Sequence, residues 1–474
     1  MNKLEKITTR DVDFAQWYTD VVKAAKLVEY SAIKGELVFM PNGWAIWSII
    51  QQELDKRFKK YGIVNVALPT FIKYSEFMKE KQHVEGFAPE VFLVTKKGNE
   101  NLTEPYVVRP TSEVLFCDYF KKIVTSYNDL PVKVNQWCNV FRAEKNTKPF
   151  LRTTEFFWHE LHTIHSSKTE AINQAKNMAD EYYDFITKEL LIPCIQGEKT
   201  IGERFAGAEN TYTLEALMQN GQALQCGTSH YLGQNFAKTY DISFTNKNNK
   251  TEYVYQTSTG ASTRLIGAII MSHSDDHGLR LPFAIAPIQI AILGIFANKK
   301  PKIIQVANTI AKKLNKYRVK IDMSDKGLGY KAVWSETTGV PFSIIIGPND
   351  LKQNQVTILR RDTLLKEQCS IDKIVDKIEK LIPEFKKNLY NLAKKNLDSR
   401  IIEVNNFSDF KKAINEKKMV IAPWAGEIAD EKKIKQMFGV TPRCIKKELP
   451  SNTKLKCFFT NKKAKYIVYF ARAY

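Results

Sequence analysis

Three short stretches carry residue types suited to chemistry. The first is Phe141-Arg142-Ala143-Glu144, followed by Arg152 and, in the spacing R-x-x-x-F, Phe156. An arginine set among apolar residues on an expected strand is costly to bury alone. Residues two apart on a strand share a face, so Arg142 and Glu144 offer a guanidinium fork and a carboxylate together. That face is either a structural ion pair or one wall of a site, with Phe156 as a stacking surface and the polar Lys145–Pro149 segment as a flap. The second stretch, Ser258-Thr259-Gly260-Ala261-Ser262-Thr263-Arg264, runs into an apolar helix at Leu265–Met271. Small residues ahead of a helix admit a phosphate or ring closely, and the helix N-terminus favours anions. The third is Gly43–Thr70. It reads as an amphipathic helix to Tyr61, with Trp47, Ile50, Leu54 and Phe58 at helical spacing, then a β-branched run Ile63–Leu68 that stops at Pro69.

The elements that must position these residues follow an α+β pattern. Tyr106–Val108, Val132–Trp137, Phe156–Ile164 and Tyr253–Gln256 read as strands, interrupted by one clear helix over Lys168–Leu191. Such a pattern implies helices around an antiparallel sheet. Near Pro287 strand and helix begin to alternate. Strand Ile288–Ile295 is followed by helix Lys302–Tyr317, strand Val319–Met323, a helix near Gly329–Thr338, strands Phe342–Ile346 and Gln355–Leu359, and a long helix from Ile371. A lysine-rich segment follows Leu397. We therefore expect a catalytic-type α+β domain over 1–286, a small α/β domain over 287–396 and a C-terminal domain over 397–474.

The net charge of +20 favours polyanion partners, and its distribution sharpens the point. Residues 381–474 hold 21 Lys/Arg against 9 Asp/Glu, so +12 of the excess lies in the last fifth of the chain. This suits an enzyme with a nucleic-acid-binding appendage. The longest apolar stretches, such as Ala284–Phe296, are too short and interrupted to span a bilayer, and the N-terminus lacks the apolar core of a signal peptide. Seven scattered cysteines argue against a disulfide framework, so a cytoplasmic, reduced protein is expected. His159, His162 and His165 beside Glu160 do not have HExxH spacing, and strand alternation turns His162 away from the other two. His273-Ser274-Asp275-Asp276-His277 reads as a polar turn near a substrate mouth.

Together and in this order, the three stretches resemble motifs 1, 2 and 3 of class II aminoacyl-tRNA synthetases, with Pro69 ending the first and Arg264 the third. The stretches HVEGFAPEVF (83–92), VRPTSE (108–113), NQWCNVFRAE (135–144), PFLRTTEFFWHELHT (149–163), RFAGAENTYTLEA (204–216), QCGTSHYLGQNF (225–236) and STRLIGAIIMSHSDDHGLRLP (262–282) look like prolyl-tRNA synthetases. They resemble the archaeal and eukaryotic-like form, which lacks the large editing insertion; only 122 positions separate Arg142 from Arg264. GLGYKAVWSETTGVPFSIIIGPNDL (327–351) and VTILRRD (356–362) are similar to the class IIa anticodon-binding domain.

The resemblance implies ATP-dependent activation of L-proline, then transfer to the 3′ end of tRNA(Pro). It places Arg142 on the α-phosphate and the proline carboxylate, Arg152 and Arg264 on the γ-phosphate, and adenine between Phe156 and the Arg264 guanidinium. Glu144, Leu151, Thr153, Thr228 and Ser262 complete the nucleotide site, and Gln225 helps to hold Mg²⁺. Arginine suits these roles because its planar fork meets phosphate and carboxylate oxygens bidentately. Thr111 and Glu113 are implied as acceptors for the proline ammonium, and Trp158, Phe205 and His230 as the slot for its ring. Glu160, His162 and Ser258 support them, and His83–Glu90 resembles a loop that closes over proline. A homodimer through motif 1 is implied, with Trp44, Trp47 and Phe58 as contact area. Many relatives carry a four-cysteine zinc site near the C-terminus. Here Ala425, Asp430 and Thr460 stand at three of its positions and only Cys457 remains, so no structural zinc is expected. None of the implied ATP ligands lies beyond residue 396, so ATP chemistry should not need that segment directly. The rivals are a threonine or serine synthetase, which the Thr111/Glu113 and Trp158/His162 combination argues against, and a non-catalytic synthetase-like tRNA-binding protein, which would tend to lack the three arginines.

Overall fold

The computed structural model describes residues 7–79 and 91–474; the expected closing loop at His83–Glu90 lies outside them. The first long helix is Pro41–Lys59, with proline in its first turn, where a missing N–H is harmless. Its apolar stripe of Ile46, Trp47, Ile50, Leu54 and Phe58 enters the main core. Trp47 and Phe58 are fully buried within the protomer, packed around the Trp137 and His159 rings, so neither is available as a contact between copies. The helical period that made them legible also turns them inward; of the three expected contact residues only Trp44 remains at the surface. The expected strand Ile63–Leu68 shrinks to Val64–Asn65, paired parallel to Val134–Asn135. Beyond it Leu68 N–H bonds the Gln136 side chain at 3.0 Å instead of a ladder. The buried Arg109 guanidinium collects the Leu68, Pro69 and Asn139 carbonyls, which fixes the chain around Pro69.

The catalytic-type region is built on an antiparallel run of six strands. In spatial order these are Cys194–Glu198, Asn210–Leu217, Ala223–Gly233, Tyr255–Ser262, Glu155–His165 and Val132–Phe141. The helix Lys168–Lys188 covers one face, with Ala171, Ala175, Met178, Tyr182 and Phe185 turned down. The helix Arg264–His273 is buried along almost its whole length. His159 bonds Asn135 and Tyr182, and His162 lies flat on Phe116 with ring centroids 3.9 Å apart; the two side chains leave the strand on opposite faces.

A second sheet orders Val319–Asp322, Ile290–Gly294, Phe342–Ile346, Gln355–Arg360 and Lys366–Ser370. Its first three strands are parallel, and the central two are buried at every position, as expected for strands covered on both faces. A 3₁₀ turn at Ile371–Lys373 precedes the long helix, which runs from Ile374 to Arg400.

The segment beyond Arg400 does not stand apart. Ile401–Glu403, Met419–Trp424, Tyr466–Arg472 and Val440–Glu448 form a sheet that meets Cys194–Glu198 through an Ile445–Glu198 bridge, so one eleven-stranded sheet runs through both regions. Phe458 and Phe470 pack on Phe410 and Trp424 packs on Phe470, and Cys457 and Ala425 belong to this apolar cluster. Tyr474 returns to the catalytic region, where its hydroxyl accepts from Asn220 at 2.6 Å and Lys148 lies over its ring.

The turn at His273–His277 departs from expectation. It is no substrate mouth but a junction between the two larger regions. Asp275 is buried between Arg361, which donates to it at 2.6 and 3.0 Å, and Arg280 at 2.5 Å. Asp276 receives Arg10.

Candidate active site

The central strands form the floor of a cleft of about 240 Å³. Alternation places Thr211, Thr213 and Glu215 on one face of Asn210–Leu217, and the register sets them opposite His230, Thr228 and Gln225. Ser258 stands opposite His230 and His162, and Gly260 opposite Thr228 and Glu160. A row of small and polar residues therefore faces upward where an ordinary core face would be apolar.

At one end lies a cluster of acids. Thr111 and Glu113 come from the start of the helix Glu113–Ile123, and Glu160 from the middle of Glu155–His165. Thr111 Oγ1 donates to Glu113 at 2.5 Å and lies 3.1 Å from Glu160. Glu160 also accepts from Ser112 N–H at 2.8 Å and Gln136 Nε2 at 2.8 Å. Both carboxyls are buried. Burial first, and then the neighbouring Glu160 charge, push the Glu113 pKa up to about 7, against hydrogen bonding from Thr111 and the charge of Arg142. A raised carboxylate lowers stability as pH climbs from its ordinary range to about 7, so this arrangement disfavours the fold alone and suits a cationic ligand.

Beside the acids Phe205 and His230 form an apolar corner, their rings 4.6 Å apart. Burial holds His230 neutral, with a pKa lowered to about 3, and its Nδ1 is 3.0 Å from Thr211 Oγ1. Trp158 closes the other side. Ser258 Oγ is buried here with no partner among the described residues, so a ligand's polar group would satisfy it.

The opposite end is cationic. Arg142 follows the strand Val132–Phe141 rather than lying inside it, and the ion pair drawn with Glu144 belongs to Arg152, at 3.5 Å. Arg142 Nε donates to Pro110 O at 3.1 Å, and its guanidinium lies over the Phe156 and Trp158 rings at 5.2 and 5.4 Å. Arg264 Nε donates to Leu151 O at 3.1 Å. Burial, with the charges of Arg152 and Arg142, lowers the Arg264 pKa to about 10. Guanidinium groups gathered so closely that their charges repel one another are arranged for a polyanion.

The cleft brings together fourteen expected residues: Thr111, Glu113, Arg142, Phe156, Trp158, Glu160, His162, Phe205, Gln225, Thr228, His230, Ser258, Ser262 and Arg264. Glu144, Leu151, Arg152 and Thr153 do not line it. Leu151 belongs to the main core over Gly267, so only its backbone faces Arg264, and Arg152 extends toward solvent. Lys199 and Glu203 line the cleft and escaped sequence reading; Arg204, Thr211 and Thr259 fall inside the quoted stretches and line it too, although none was singled out for a role. The alternating Thr211, Thr213 and Glu215, polar where a central strand is usually apolar, was the available signal for Thr211. Among the described residues no group of three or more His, Cys, Asp or Glu is placed to hold a metal.

Residues 92–273 match the family model for the tRNA synthetase class II core domain (G, H, P, S and T), 284–381 the anticodon binding domain, and 407–474 the prolyl-tRNA synthetase C-terminal domain. The proline–tRNA ligase of Ureaplasma parvum serovar 3 is 52% identical over 472 residues, covering 100% of this chain and 99% of its own. That of Mesoplasma florum is 48% identical over the full length of both chains. The crystal structure of prolyl-tRNA synthetase from Cryptosporidium parvum, complexed with halofuginone and AMPPNP, superposes with a TM-score of 0.94 at 36% identity, covering 99% of this chain and 100% of that one. The likeness thus runs from end to end of the chain and across all three of its regions, and the chain belongs to the prolyl-tRNA synthetases, the proline–tRNA ligases of class II.

Proposed function

We propose that the acid end of the cleft binds L-proline, that the arginine end binds ATP, and that Arg142 joins them. The observation that carries this reading is one cleft lined both by the buried acids Glu113 and Glu160 and by the guanidinium groups of Arg142 and Arg264, with Phe205, His230 and Trp158 on its wall. A zwitterionic amino acid fits such a gradient in one orientation. Its secondary ammonium meets Thr111 and Glu113, its ring enters the slot, and its carboxylate points to Arg142.

The carboxylate oxygen then attacks the α-phosphorus of ATP in line, and pyrophosphate departs. Such a step asks for positioning and charge neutralisation more than covalent chemistry. Arg142 neutralises the α-phosphate and fixes the carboxylate, while Arg264, supported by Arg152, holds the γ-phosphate. Adenine stacks between Phe156 and Arg264, with Thr228 and Ser262 beside it and Glu144, Leu151 and Thr153 behind. Gln225 offers one hard oxygen that would help to hold Mg²⁺, whose charge would offset that of the phosphates. In the second step the terminal ribose hydroxyl of tRNA(Pro) attacks the acyl carbon and AMP departs. The basic segment 381–474 supplies phosphate contacts to the tRNA. Exposed Trp44, Val38 and Val64 supply apolar area for a homodimer. The reaction serves translation, so we place the chain in the cytoplasm. No described helix is long and apolar enough to cross a membrane.

Proline affinity should depend on pH. Above pH 7 Glu113 is ionised and meets the ammonium; below it the carboxyl is protonated and the attraction is lost. From a pKa of about 7, proline KM is expected to rise about tenfold between pH 8 and pH 6, while KM for ATP changes little. Glu113→Gln should raise proline KM at pH 8 by about 10- to 100-fold, the worth of a hydrogen bond to a charged group, and flatten the profile. Pyrophosphate exchange at both pH values reads this out, and a profile unchanged by Glu113→Gln contradicts the assignment.

A further inference from the structure

The residues assigned to proline all precede residue 286, yet the C-terminal region reaches the wall of their subsite. From the strand Val440–Glu448, buried Arg443 donates Nε and Nη2 to Glu215 Oε2 at 2.9 and 2.8 Å, and Nη1 to Thr441 Oγ1 at 2.9 Å. Glu215 is fully buried, and its other oxygen accepts from Lys199 Nζ at 2.8 Å and from Thr213 Oγ1 at 2.8 Å. Lys199 is itself buried and lines the cleft. Its backbone N–H bonds Thr211 O at 2.9 Å. Thr211 Oγ1 accepts from Phe205 N–H at 3.2 Å and meets His230 Nδ1 at 3.0 Å. One continuous line of bonded groups therefore runs from the C-terminal region to the two rings of the proline slot.

The balance of charge makes this line rigid. Two cations share one carboxylate that has no access to water. Burial alone would push the Glu215 pKa up, but Lys199 and Arg443 outweigh it and keep the group ionised. Removing Arg443 leaves one carboxylate oxygen buried without its cation, and the remaining pair must move to compensate.

We propose that Arg443 is a positioning residue for proline binding: through Glu215 it fixes Lys199, and with Lys199 the Thr211 backbone that aligns Phe205 and His230. The C-terminal region then tunes the amino-acid subsite while contributing no group to the ATP site. This deepens the reading of the cleft given above and rests on it.

The test is pyrophosphate exchange by the full-length enzyme carrying Arg443→Met, with KM measured separately for proline and ATP. Misplacement of a binding wall through a remote change is expected to raise proline KM about tenfold, with KM for ATP moving much less. Arg443→Lys, which keeps the charge but not the fork, should fall between. The double variant Arg443→Met/Lys199→Met should be no worse than Lys199→Met alone, because both break one line. A folded Arg443→Met enzyme with wild-type proline KM overturns the proposal, as do equal rises in both KM values. If Arg443→Met does not fold, Glu215→Gln and Arg443→Lys decide the matter, and wild-type proline KM in both overturns it. Failure of the wild-type enzyme to exchange with proline at all would instead sink the reading of the cleft.

Discussion

Arg142→Ala is expected to lower kcat for proline-dependent pyrophosphate exchange by about 10²–10³-fold, or roughly 2.7–4 kcal/mol, the usual loss for one preorganised charge-stabilising donor. The guanidinium is held before any ligand arrives, by the Pro110 carbonyl and by two aromatic faces. It therefore needs no rearrangement when charge develops on the α-phosphate. Arg142→Lys should recover little, since a point charge cannot bridge two oxygens as a fork does. A second effect separates this role from a purely structural one. Arg142 is among the charges holding the Glu113 pKa down. Without it Glu113 keeps its proton to higher pH, so the rise in proline KM should begin at a higher pH in Arg142→Ala than in wild type. An unmoved profile, or a loss below tenfold, counts against the assignment.

The second large effect is on stability. Arg361→Met should destabilise the chain by about 3–5 kcal/mol, as breaking a buried pair does when one charge is left behind. Arg361 spans the two larger regions: it holds Asp275 with two nitrogens and takes the Leu279, Glu336 and Gly278 carbonyls. Burial raises the Asp275 pKa, but bonds and charge from Arg361 and Arg280 overcome this and hold it below the ordinary value. A depressed carboxylate contributes stability above its unfolded pKa and loses it as pH falls through the folded one. Wild type should therefore lose this contribution on acidification, and Arg361→Met should be less sensitive over the same range. Because Arg280 still pairs with Asp275, the loss should lie toward the lower figure. Urea unfolding near pH 7 and below pH 4 measures both; a loss under 1 kcal/mol would mean that the junction is a passive contact.

Much of the cleft was legible in the chain through its resemblance to the family, whose motifs carry the residues that the strand then spaces along one wall. Glu160 and His162 share a strand face, and Phe156 and Trp158 sit just before them on the same strand. The arginines stand in recognisable motifs. Long-range pairing was not legible. Glu215 and Arg443 are 228 positions apart, and nothing local in either stretch announces the other. Lys199 lies in a polar run, where a lysine reads as solvated, yet it is buried on Glu215. Trp47 and Phe58 show the converse error. An apolar stripe at helical spacing marks a face that will be covered, but it does not say whether by the same chain or by another. Asp275 was misread for a related reason, since a polar turn looks the same whether it faces solvent or a guanidinium contributed 86 residues later.

The central claim is that this cleft selects proline, and ATP–pyrophosphate exchange with each of the twenty amino acids in turn tests it most directly. Proline alone should support strong exchange. Alanine should follow as the next best, because it keeps the ammonium and carboxylate and lacks only ring methylenes, each worth about 1–3 kcal/mol in an apolar slot. Exchange with threonine or serine at or above the proline rate, or none with proline, would contradict the account.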